Sequence, residues 1–201
     1  MIAQEVASPS IVRDYLALTK PRIIPLLLLT ALGGMFLAAG GVPAAWLVVA
    51  VLSGGALAVG GAQALNHYLE RDIDALMVRT SSRPVASGRI EPRHAMVFGI
   101  VLNVIAFAIL GVLVNPLSAV LTLSATLFYV LIYTLGLKRT TPHNIVIGGA
   151  AGAIPPVVGW TAITGQIGLP AIYLFAIVLF WTPPHFWALS LLLKDDYARA
   201  G

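Results

Sequence analysis

One short charged stretch of this chain carries residue types that could bind a metal ion and an anion. It reads "NHYLERDIDALMVRTSSRP", begins at Asn66, and lies at the end of a run, Ile23 to Leu69, that contains no Lys, Arg, Asp or Glu. On a helix, Asn66, Glu70 and Asp74 are spaced i, i+4 and i+8 and share one face, which we call the oxygen stripe. Neighbouring carboxylates repel each other unless a cation joins them. Oxygen ligands suit Mg²⁺, which binds through one or two carboxylates plus substrate phosphates.

Arginines follow the oxygen stripe, at Arg79, Arg83 and Arg89. Guanidinium groups hold phosphate oxygens, so carboxylates for Mg²⁺ beside these arginines indicate a diphosphate site. An interfacial helix end with ion pairs along the helix explains the same spacing without any ligand. Asp72 beside Arg71 fits that second interpretation better, and we expect Asp72 to lie on the helix surface.

A second acidic pair, Asp195 and Asp196, lies near the C-terminus in "PPHFWALSLLLKDDYARAG". Two acidic clusters at one membrane face could hold metal ions on either side of a diphosphate. His185 precedes Asp196 by eleven residues, on nearly the same helical face. It would lie roughly 16 Å deeper. An ionisable residue inside a span is a functional hypothesis by default, although a histidine near prolines is often only hydrogen-bonded.

Basic and aromatic residues adjoin each other in the middle of the chain. Lys138 and Arg139 follow Tyr129 and Tyr133, which are spaced i, i+4. The basic pair could add positive charge for a diphosphate at the same membrane face. An interfacial aromatic belt with positive charges on the inner side of the membrane explains the same pattern.

The composition identifies the medium in which these residues must work. Of 201 residues, 59% are hydrophobic and only 10% are charged, against roughly 25% charged in soluble domains. This balance is typical of a polytopic membrane protein, so the net charge of +4 does not indicate a nucleic-acid partner. The absence of cysteine excludes disulfides, thiolate metal sites and cysteine nucleophiles. We find no cleavable signal pattern at the N-terminus.

Three charge-free runs predict the membrane helices. They extend from Ile23 to Leu69, His94 to Leu137 and Thr140 to Leu193. Each is long enough for two spans of about 20 residues. Turn residues divide them at "GGVP", "NP" and "TGQIGLP". We therefore predict three helical hairpins, with spans at about 23–39, 44–65, 95–114, 117–137, 144–163 and 170–193.

All twelve Lys and Arg residues and all eight Asp and Glu residues fall on the side opposite the hairpin tips. The positive-inside rule makes that side cytoplasmic, but it does not explain the acids, which contribute little to orientation. "GGALAVGG" and "IGGAAGA" supply small residues for close helix packing, which is compatible with an internal cavity without showing one.

At these residues the chain resembles the UbiA superfamily of intramembrane prenyltransferases. The family signature is Asn, three residues, an acid, three residues, Asp, then Met-x-Arg-Thr, two residues and Arg. It stands complete here as "NHYLERDIDALMVRTSSR". The stretches "LTKPRI", "LKRTTPHNIVIGGAAGAIPPVVGW" and "WTPPHFWALSLLLKDDYARAG" resemble the protoheme IX farnesyltransferase branch in particular.

The resemblance covers essentially the whole chain and implies one transmembrane prenyltransferase domain over residues 1–201, an all-α bundle in a bacterial plasma (inner) membrane. It implies transfer of farnesyl from farnesyl diphosphate to a vinyl group of heme B, giving heme O, with heme as substrate and Mg²⁺ as cofactor. Beyond the lipid bilayer, it suggests heme A synthase or assembly factors of terminal oxidases as partners.

The resemblance also implies residue roles. The metal ligands would be Asn66, Glu70, Asp74, Asp195 and Asp196. Arg79, Arg83, Lys138 and Arg139 would bind the diphosphate, and Tyr129 or Tyr133 would face the allylic cation. Lys20 or Arg22 would meet the heme propionates, and His185 or His143 would orient the heme iron.

Two departures from the family pattern stand out. Many relatives have Asp where this chain has Glu70. The family has nine spans and we count six, so we expect the chain to be incomplete at its C-terminus. An aromatic or other tetrapyrrole acceptor remains the nearest alternative, although "TPPHFWAL" argues against it. A transporter or a non-catalytic assembly subunit is the alternative from another class; a transporter predicts acids within the spans, whereas these cluster at one end.

Overall fold

The computed structural model describes residues 10–141 and 143–192, with the side chains of Arg139, Ser190 and Leu192 left aside. Within these ranges the chain is helical and has no strand. The helices are α1 Ile11–Leu18, α2 Ile24–Ala39, α3 Ala45–Leu69, α4 Arg71–Leu76, α5 Pro92–Leu113, α6 Pro116–Leu127, a π-helix Phe128–Leu137, α7 Lys138–Thr140, α8 Asn144–Gly152, α9 Ile154–Thr164 and α10 Leu169–Leu192.

Each predicted span coincides with helical structure to within a few residues at its ends. Among the described residues, five helical segments are long and apolar enough to cross a membrane, and the other predicted span, α2, is apolar but only 16 residues long. The chain turns at the predicted tips. Gly40 and Gly165 end α2 and α9 in the left-handed conformation, and Asn115 caps α6 by accepting a hydrogen bond from Ser118 N. The prediction of an all-α membrane bundle is therefore confirmed.

Three local features lie outside the sequence-based expectation. The N-terminal segment forms a further helix, α1, capped by Ser10. The span after Pro116 widens into a ten-residue π-helix, a form that occurs frequently at functional sites. The span after His143 is divided at Ala153, because Pro155 and Pro156 have no N–H groups to continue the helical hydrogen bonds.

Helix packing depends on glycines at two crossings. At the crossing of α2 and α9, a Cβ on Gly34 would overlap the Pro156 carbonyl oxygen, and a Cβ on Gly159 would overlap the Ala31 carbonyl oxygen. At the crossing of α3 and α5, Gly61 and Gly99 bring the two backbones together in the same way. In a bilayer, where lipid tails compete with apolar side chains, such close approach is a main source of helix association. The second crossing holds α3, which carries Asn66 at its C-terminal end.

Gly34→Ala should destabilise the bundle, because the added methyl meets the rigid backbone of Pro156. We expect a loss of about 1–3 kcal/mol, as for other overpacked interiors, measured by denaturant unfolding in detergent micelles. Gly33→Ala is the matched control, since a Cβ on Gly33 meets nothing within 4 Å. A loss as large for Gly33→Ala as for Gly34→Ala would show that helix packing at this crossing is not the cause.

Candidate active site

The oxygen stripe stays on one face, although the helix that carries it is not continuous. The i, i+4, i+8 spacing of the stripe assumes one helix through Asp74, whereas α3 ends at Leu69 and α4 begins at Arg71. Backbone hydrogen bonds bridge the junction, from Glu70 N to Asn66 O at 2.9 Å and from Asp74 N to Glu70 O at 2.8 Å. Asn66, Glu70 and Asp74 are only 2%, 3% and 3% exposed. Three buried oxygen-bearing side chains therefore line one surface at the end of α3.

Each carboxylate of the stripe is paired with a basic side chain from another part of the chain. Arg83 Nη1 donates to both oxygens of Asp74, at 2.7 Å each. Lys138 Nζ donates to Glu70 Oε1 at 2.5 Å. Buried carboxylates need such partners, because an unpaired buried charge costs several kcal/mol. The pairing brings the 77–91 loop, between α4 and α5, and the end of the π-helix to the same place.

Asn66 is held from two sides. Its Oδ1 accepts a hydrogen bond from Lys20 Nζ at 2.9 Å, and its Nδ2 donates to Thr134 Oγ1 at 3.4 Å. Thr134 Oγ1 in turn donates to Tyr129 O at 2.9 Å. The contact fixes which end of the carboxamide faces the lysine. We call the six residues Lys20, Asn66, Glu70, Asp74, Arg83 and Lys138 the charged mouth.

Lys20 is held in an unusual environment. It lies between α1 and α2 and has φ +48°, a left-handed conformation that an L side chain rarely adopts. Burial lowers its pKa from 10.5 to about 7; the charge of Arg83, and less strongly that of Lys138, act in the same direction, while Glu70 and Asp74 oppose them. Backbone strain of this kind persists where the surrounding structure imposes it, commonly at functional sites.

Lys20→Met should stabilise the metal-free protein most at or below about pH 7, and less as the pH rises. The folded pKa lies below the unfolded value, so the unfolded state binds the proton more tightly and the wild type gains stability between about pH 7 and about pH 10.5. The measurement is the denaturation midpoint of both proteins in detergent from about pH 6 to about pH 9. A difference that does not change with pH would contradict the lowered pKa.

Two stacked tyrosines stand beside the stripe. The rings of Tyr129 and Tyr133 lie 5.5 Å apart at 26°, and Tyr129 Oη donates to Gln63 Oε1 at 3.4 Å. Gln63 is buried one turn before Asn66 on α3. The ring of Tyr133 lies against Gly148 of α8, where a Cβ would overlap its Cδ2. Both rings are thus positioned by close contacts.

Arg89, predicted to bind phosphate, has another partner. Its Nε donates to both oxygens of Asp14, at 3.0 and 3.2 Å, and Asp14 is only 5% exposed on α1. This pair joins α1 to the 77–91 loop and lies outside the charged mouth. The sequence alone does not indicate it, because 75 residues separate the two partners.

Other predicted site residues are not brought to the mouth. Arg79 and Arg22 are exposed, as is Asp72, which was expected on the surface. His185 is exposed on α10 and stacks on Trp181, with ring centroids 4.2 Å apart, and His143 is exposed. The side chain of Arg139 and the whole of Asp195 and Asp196 lie outside the described residues.

The structure adds residues that motif reading missed. Thr134 orients Asn66, and its only sequence signal is its position one residue after Tyr133. His67 is buried beside Asn66, and neither ring nitrogen has a hydrogen-bond partner among the described residues. Its sequence signal is an ionisable residue within the charge-free run that ends at Leu69. Away from the mouth, an apolar cavity of about 200 Å³ lies toward the uncharged hairpin tips, between residues of α6, α9 and α10.

The donor set of the mouth fits Mg²⁺ better than a softer metal. Asn66, Glu70 and Asp74 offer only oxygen ligands, and over residues 10–141 and 143–192 no group of three or more His, Cys, Asp or Glu residues comes together. Two carboxylates and a carboxamide are too few for a protein-only cage, but they match the partial ligand set that Mg²⁺ completes with water and phosphate.

The chain matches the family model described as "UbiA prenyltransferase family" over residues 27–201. It is 56% identical over 187 residues to "Protoheme IX farnesyltransferase 1" of Saccharopolyspora erythraea, covering 93% of this chain and 60% of that protein. It is 53% identical over 193 residues to "Protoheme IX farnesyltransferase" of Roseiflexus castenholzii, covering 96% of this chain and 36% of that protein. The chain therefore spans less than two thirds of the length of these relatives.

Solved structures agree on the fold. A UbiA homolog from Archaeoglobus fulgidus, bound to DMAPP and Mg²⁺, superimposes with a TM-score of 0.76 at 18% identity, over 94% of this chain and 66% of the other. A structure concerning digeranylgeranylglyceryl phosphate synthase gives a TM-score of 0.78 at 17% identity, with the same coverage. With the family model covering most of its length, the chain belongs to the UbiA prenyltransferase family.

Proposed function

We propose that this protein transfers farnesyl from farnesyl diphosphate to a vinyl group of heme B in a Mg²⁺-dependent reaction. Diphosphate leaves, and a water molecule adds to the former vinyl group and loses a proton, which gives the hydroxyethylfarnesyl group of heme O. The observation that carries the proposal is the charged mouth, in which three buried oxygen-bearing side chains meet three basic side chains. Relatives more than 50% identical, the curated protoheme IX farnesyltransferases, support this choice of donor and acceptor. We place the mouth on the cytoplasmic side, following the positive-inside rule.

Asn66, Glu70 and Asp74 would hold Mg²⁺ in this proposal, together with Asp195 and Asp196 from the C-terminal stretch. The metal ion would neutralise the charge that develops on the diphosphate leaving group. All three described ligands lie on one face of α3 and its extension, so helix geometry sets their spacing before any ligand arrives. Preorganised groups of this kind need no rearrangement as charge develops.

The basic residues of the mouth would pair with carboxylates before substrate binds and with diphosphate oxygens when substrate is bound. Lys138 and Arg83 pair with Glu70 and Asp74 in the structure. If Glu70 and Asp74 held the metal ion, Lys138 and Arg83 would lose these partners and could donate to diphosphate oxygens instead. Metal and diphosphate would therefore bind together, because either one alone leaves like charges facing each other. Arg79, which is exposed, and Arg139 would add further positive charge for the diphosphate, as the family signature implies.

The aromatic residues would face the reacting carbon. Loss of diphosphate leaves an allylic cation, and the faces of aromatic rings stabilise cations. The stacked rings of Tyr129 and Tyr133 adjoin the stripe through Gln63 and Thr134. Gln63 lies on α3 about two helical turns before Glu70, so these rings would lie on the membrane side of the carboxylates. That depth would keep bulk water away from the cation.

The acceptor would approach from the apolar side. Lys20 donates to Asn66, so we assign Lys20 to the metal and diphosphate end rather than to a heme propionate. Arg22, exposed two residues later, remains the proposed propionate partner. His185, exposed on α10 against Trp181, remains the proposed residue for orienting the heme iron.

The test supplies acceptors in competition. The protein in lipid nanodiscs is given farnesyl diphosphate and Mg²⁺ with equal amounts of heme B and 4-hydroxybenzoate, and products are identified by mass spectrometry. We expect a farnesylated, hydrated heme and no prenylated benzoate. Prenylated benzoate as the main product would overturn the heme acceptor while keeping prenyl transfer. A product of neither kind, with substrate binding absent, would overturn the proposed function.

A further inference from the structure

The Asp14–Arg89 pair lies outside the charged mouth but is built more firmly than a surface ion pair. Asp14 is 5% exposed, and Arg89 Nε donates to both of its oxygens. The remaining guanidinium nitrogens are also used: Nη1 donates to Ser87 Oγ at 2.7 Å and Nη2 donates to Ser82 O at 2.9 Å. Only the planar fork of arginine makes all these contacts at once.

Within the 77–91 loop, the Arg89 side chain donates to Ser82 and Ser87, which lie on either side of Arg83. Ser82 directly precedes Arg83, and Ser87 Oγ donates to the Arg83 carbonyl at 2.8 Å, as Ser87 N does at 2.9 Å. Arg89 therefore fixes the backbone on both sides of Arg83, directly through Ser82 and indirectly through Ser87. The Arg83 side chain points the other way, onto Asp74.

Asp14 anchors the same arginine to α1. That helix packs through Leu18, which is fully buried in a cluster with Val85 and Ile90 of the loop and Ala64 of α3. Two residues after Leu18 comes Lys20, whose ammonium group reaches Asn66. One ion pair therefore joins the segment that delivers Lys20 to the segment that delivers Arg83.

We propose that Asp14 and Arg89 are positioning residues that fasten α1 to the 77–91 loop, so that Lys20 and Arg83 reach the diphosphate end of the site together. The inference rests on the proposed function, because it assigns both cations to the diphosphate. Neither Asp14 nor Arg89 touches a reacting atom. Their effect passes through the backbone of the loop and the C-terminal end of α1.

The positioning role makes a different prediction from a role in stability alone. Loss of the pair should leave the helices of the bundle in place, since α1 and the loop also pack through Leu18, Val85 and Ile90. Loss of the pair should instead make the positions of Lys20 and Arg83 less well defined, although both side chains must contact the same diphosphate. Small misplacements of binding groups cost large factors in rate and affinity.

The test compares Asp14→Asn, Arg89→Gln and the double variant, with Arg93→Gln as the control. Arg93 is exposed near the start of α5, so this control removes the same charge without breaking the pair. The probe is farnesyl thiolodiphosphate, an unreactive analogue, with Mg²⁺, titrated calorimetrically in nanodiscs. Hydrogen exchange over residues 10–20 and 77–91 reports the attachment directly.

We expect each single variant to weaken probe binding roughly tenfold and raise KM for farnesyl diphosphate by a similar factor, with kcat changed far less. Backbone amides of both segments should exchange faster. The double variant should match the singles, because the two residues act as a unit. Arg89→Lys should lie between wild type and Arg89→Gln, since lysine reaches Asp14 but lacks the fork.

Unchanged probe affinity in Asp14→Asn or Arg89→Gln, with wild-type binding intact, would overturn the positioning role alone. Faster hydrogen exchange in a variant that still binds the probe with wild-type affinity would show that the pair only holds α1 in place. That result would also overturn the positioning role. Failure of the wild-type protein to bind the probe would instead overturn the proposed function on which the inference rests. If Arg93→Gln weakened probe binding as much as Arg89→Gln does, the effect would come from net charge and the positioning role would be wrong.

Discussion

Asp74→Asn should lower kcat for the proposed heme farnesylation by at least about a thousandfold, while the helical bundle still inserts and folds. Removing one electrostatic contact from a developing negative charge commonly costs a factor of about 10²–10³, and Asp74 would lose its metal contact and its hold on Arg83 together. The substitution keeps the shape of the side chain and removes only the charge. The measurement is the initial rate of product formation at saturating farnesyl diphosphate and heme B.

Asp72→Asn is the matched control for this effect. Asp72 lies two residues before Asp74 on α4, carries the same charge and is exposed rather than buried. We expect its rate to stay close to that of the wild type. Equal losses in the two variants would mean that the general charge of the segment matters, and not the carboxylate on the oxygen stripe. Near-normal product from Asp74→Asn would remove Asp74 from the site.

Arg83→Gln should be the most destabilising single change at the mouth. It leaves Asp74, only 3% exposed, without its partner. Breaking one half of a buried ion pair costs about 3–5 kcal/mol, and the 22% exposure of the Arg83 side chain places our expectation near about 3 kcal/mol. Denaturant unfolding in detergent measures the loss. Mg²⁺ with diphosphate should recover part of it, because a metal ion on Asp74 replaces the missing positive charge.

Arg79→Gln separates this effect from diphosphate binding. The family signature contains both arginines, but Arg79 is exposed. We expect its stability to change by less than about 0.5 kcal/mol, as at most exposed sites, with only a weaker affinity for farnesyl diphosphate. If Arg79→Gln were as destabilising as Arg83→Gln, the assignment of Arg83 as the specific partner of Asp74 would be wrong.

Much of the architecture was predictable because lipid imposes a simple rule. Each span must be long, apolar and helical, so the charge-free runs and their turn residues located the hairpins to within a few residues. The oxygen stripe was predictable for a similar reason, since the spacing of Asn66, Glu70 and Asp74 is a property of one helix. The break at Glu70 did not disturb it, because hydrogen bonds continue across the junction.

Long-range pairings were not predictable in this way. Lys20 lies 46 residues from Asn66, and Lys138 lies 68 residues from Glu70. Nothing in the local pattern of either partner specifies the other. Arg89 is an example. Its position after the stripe led us to predict a phosphate ligand, but in the folded chain it pairs with Asp14. The π-helix that places Thr134 beside Asn66 also escaped a reading based on α-helical periodicity.

In the proposed function, the oxygen stripe holds a divalent metal ion together with a diphosphate. Mn²⁺ replaces Mg²⁺ with the same preference for oxygen ligands, and electron–nuclear double resonance detects ³¹P nuclei close to it. With farnesyl thiolodiphosphate present, we predict protein-bound Mn²⁺ with a clear ³¹P coupling in the wild type and in Asp72→Asn, and loss of both in Asp74→Asn. Bound Mn²⁺ without phosphorus coupling, or equal binding in Asp74→Asn, would contradict the account.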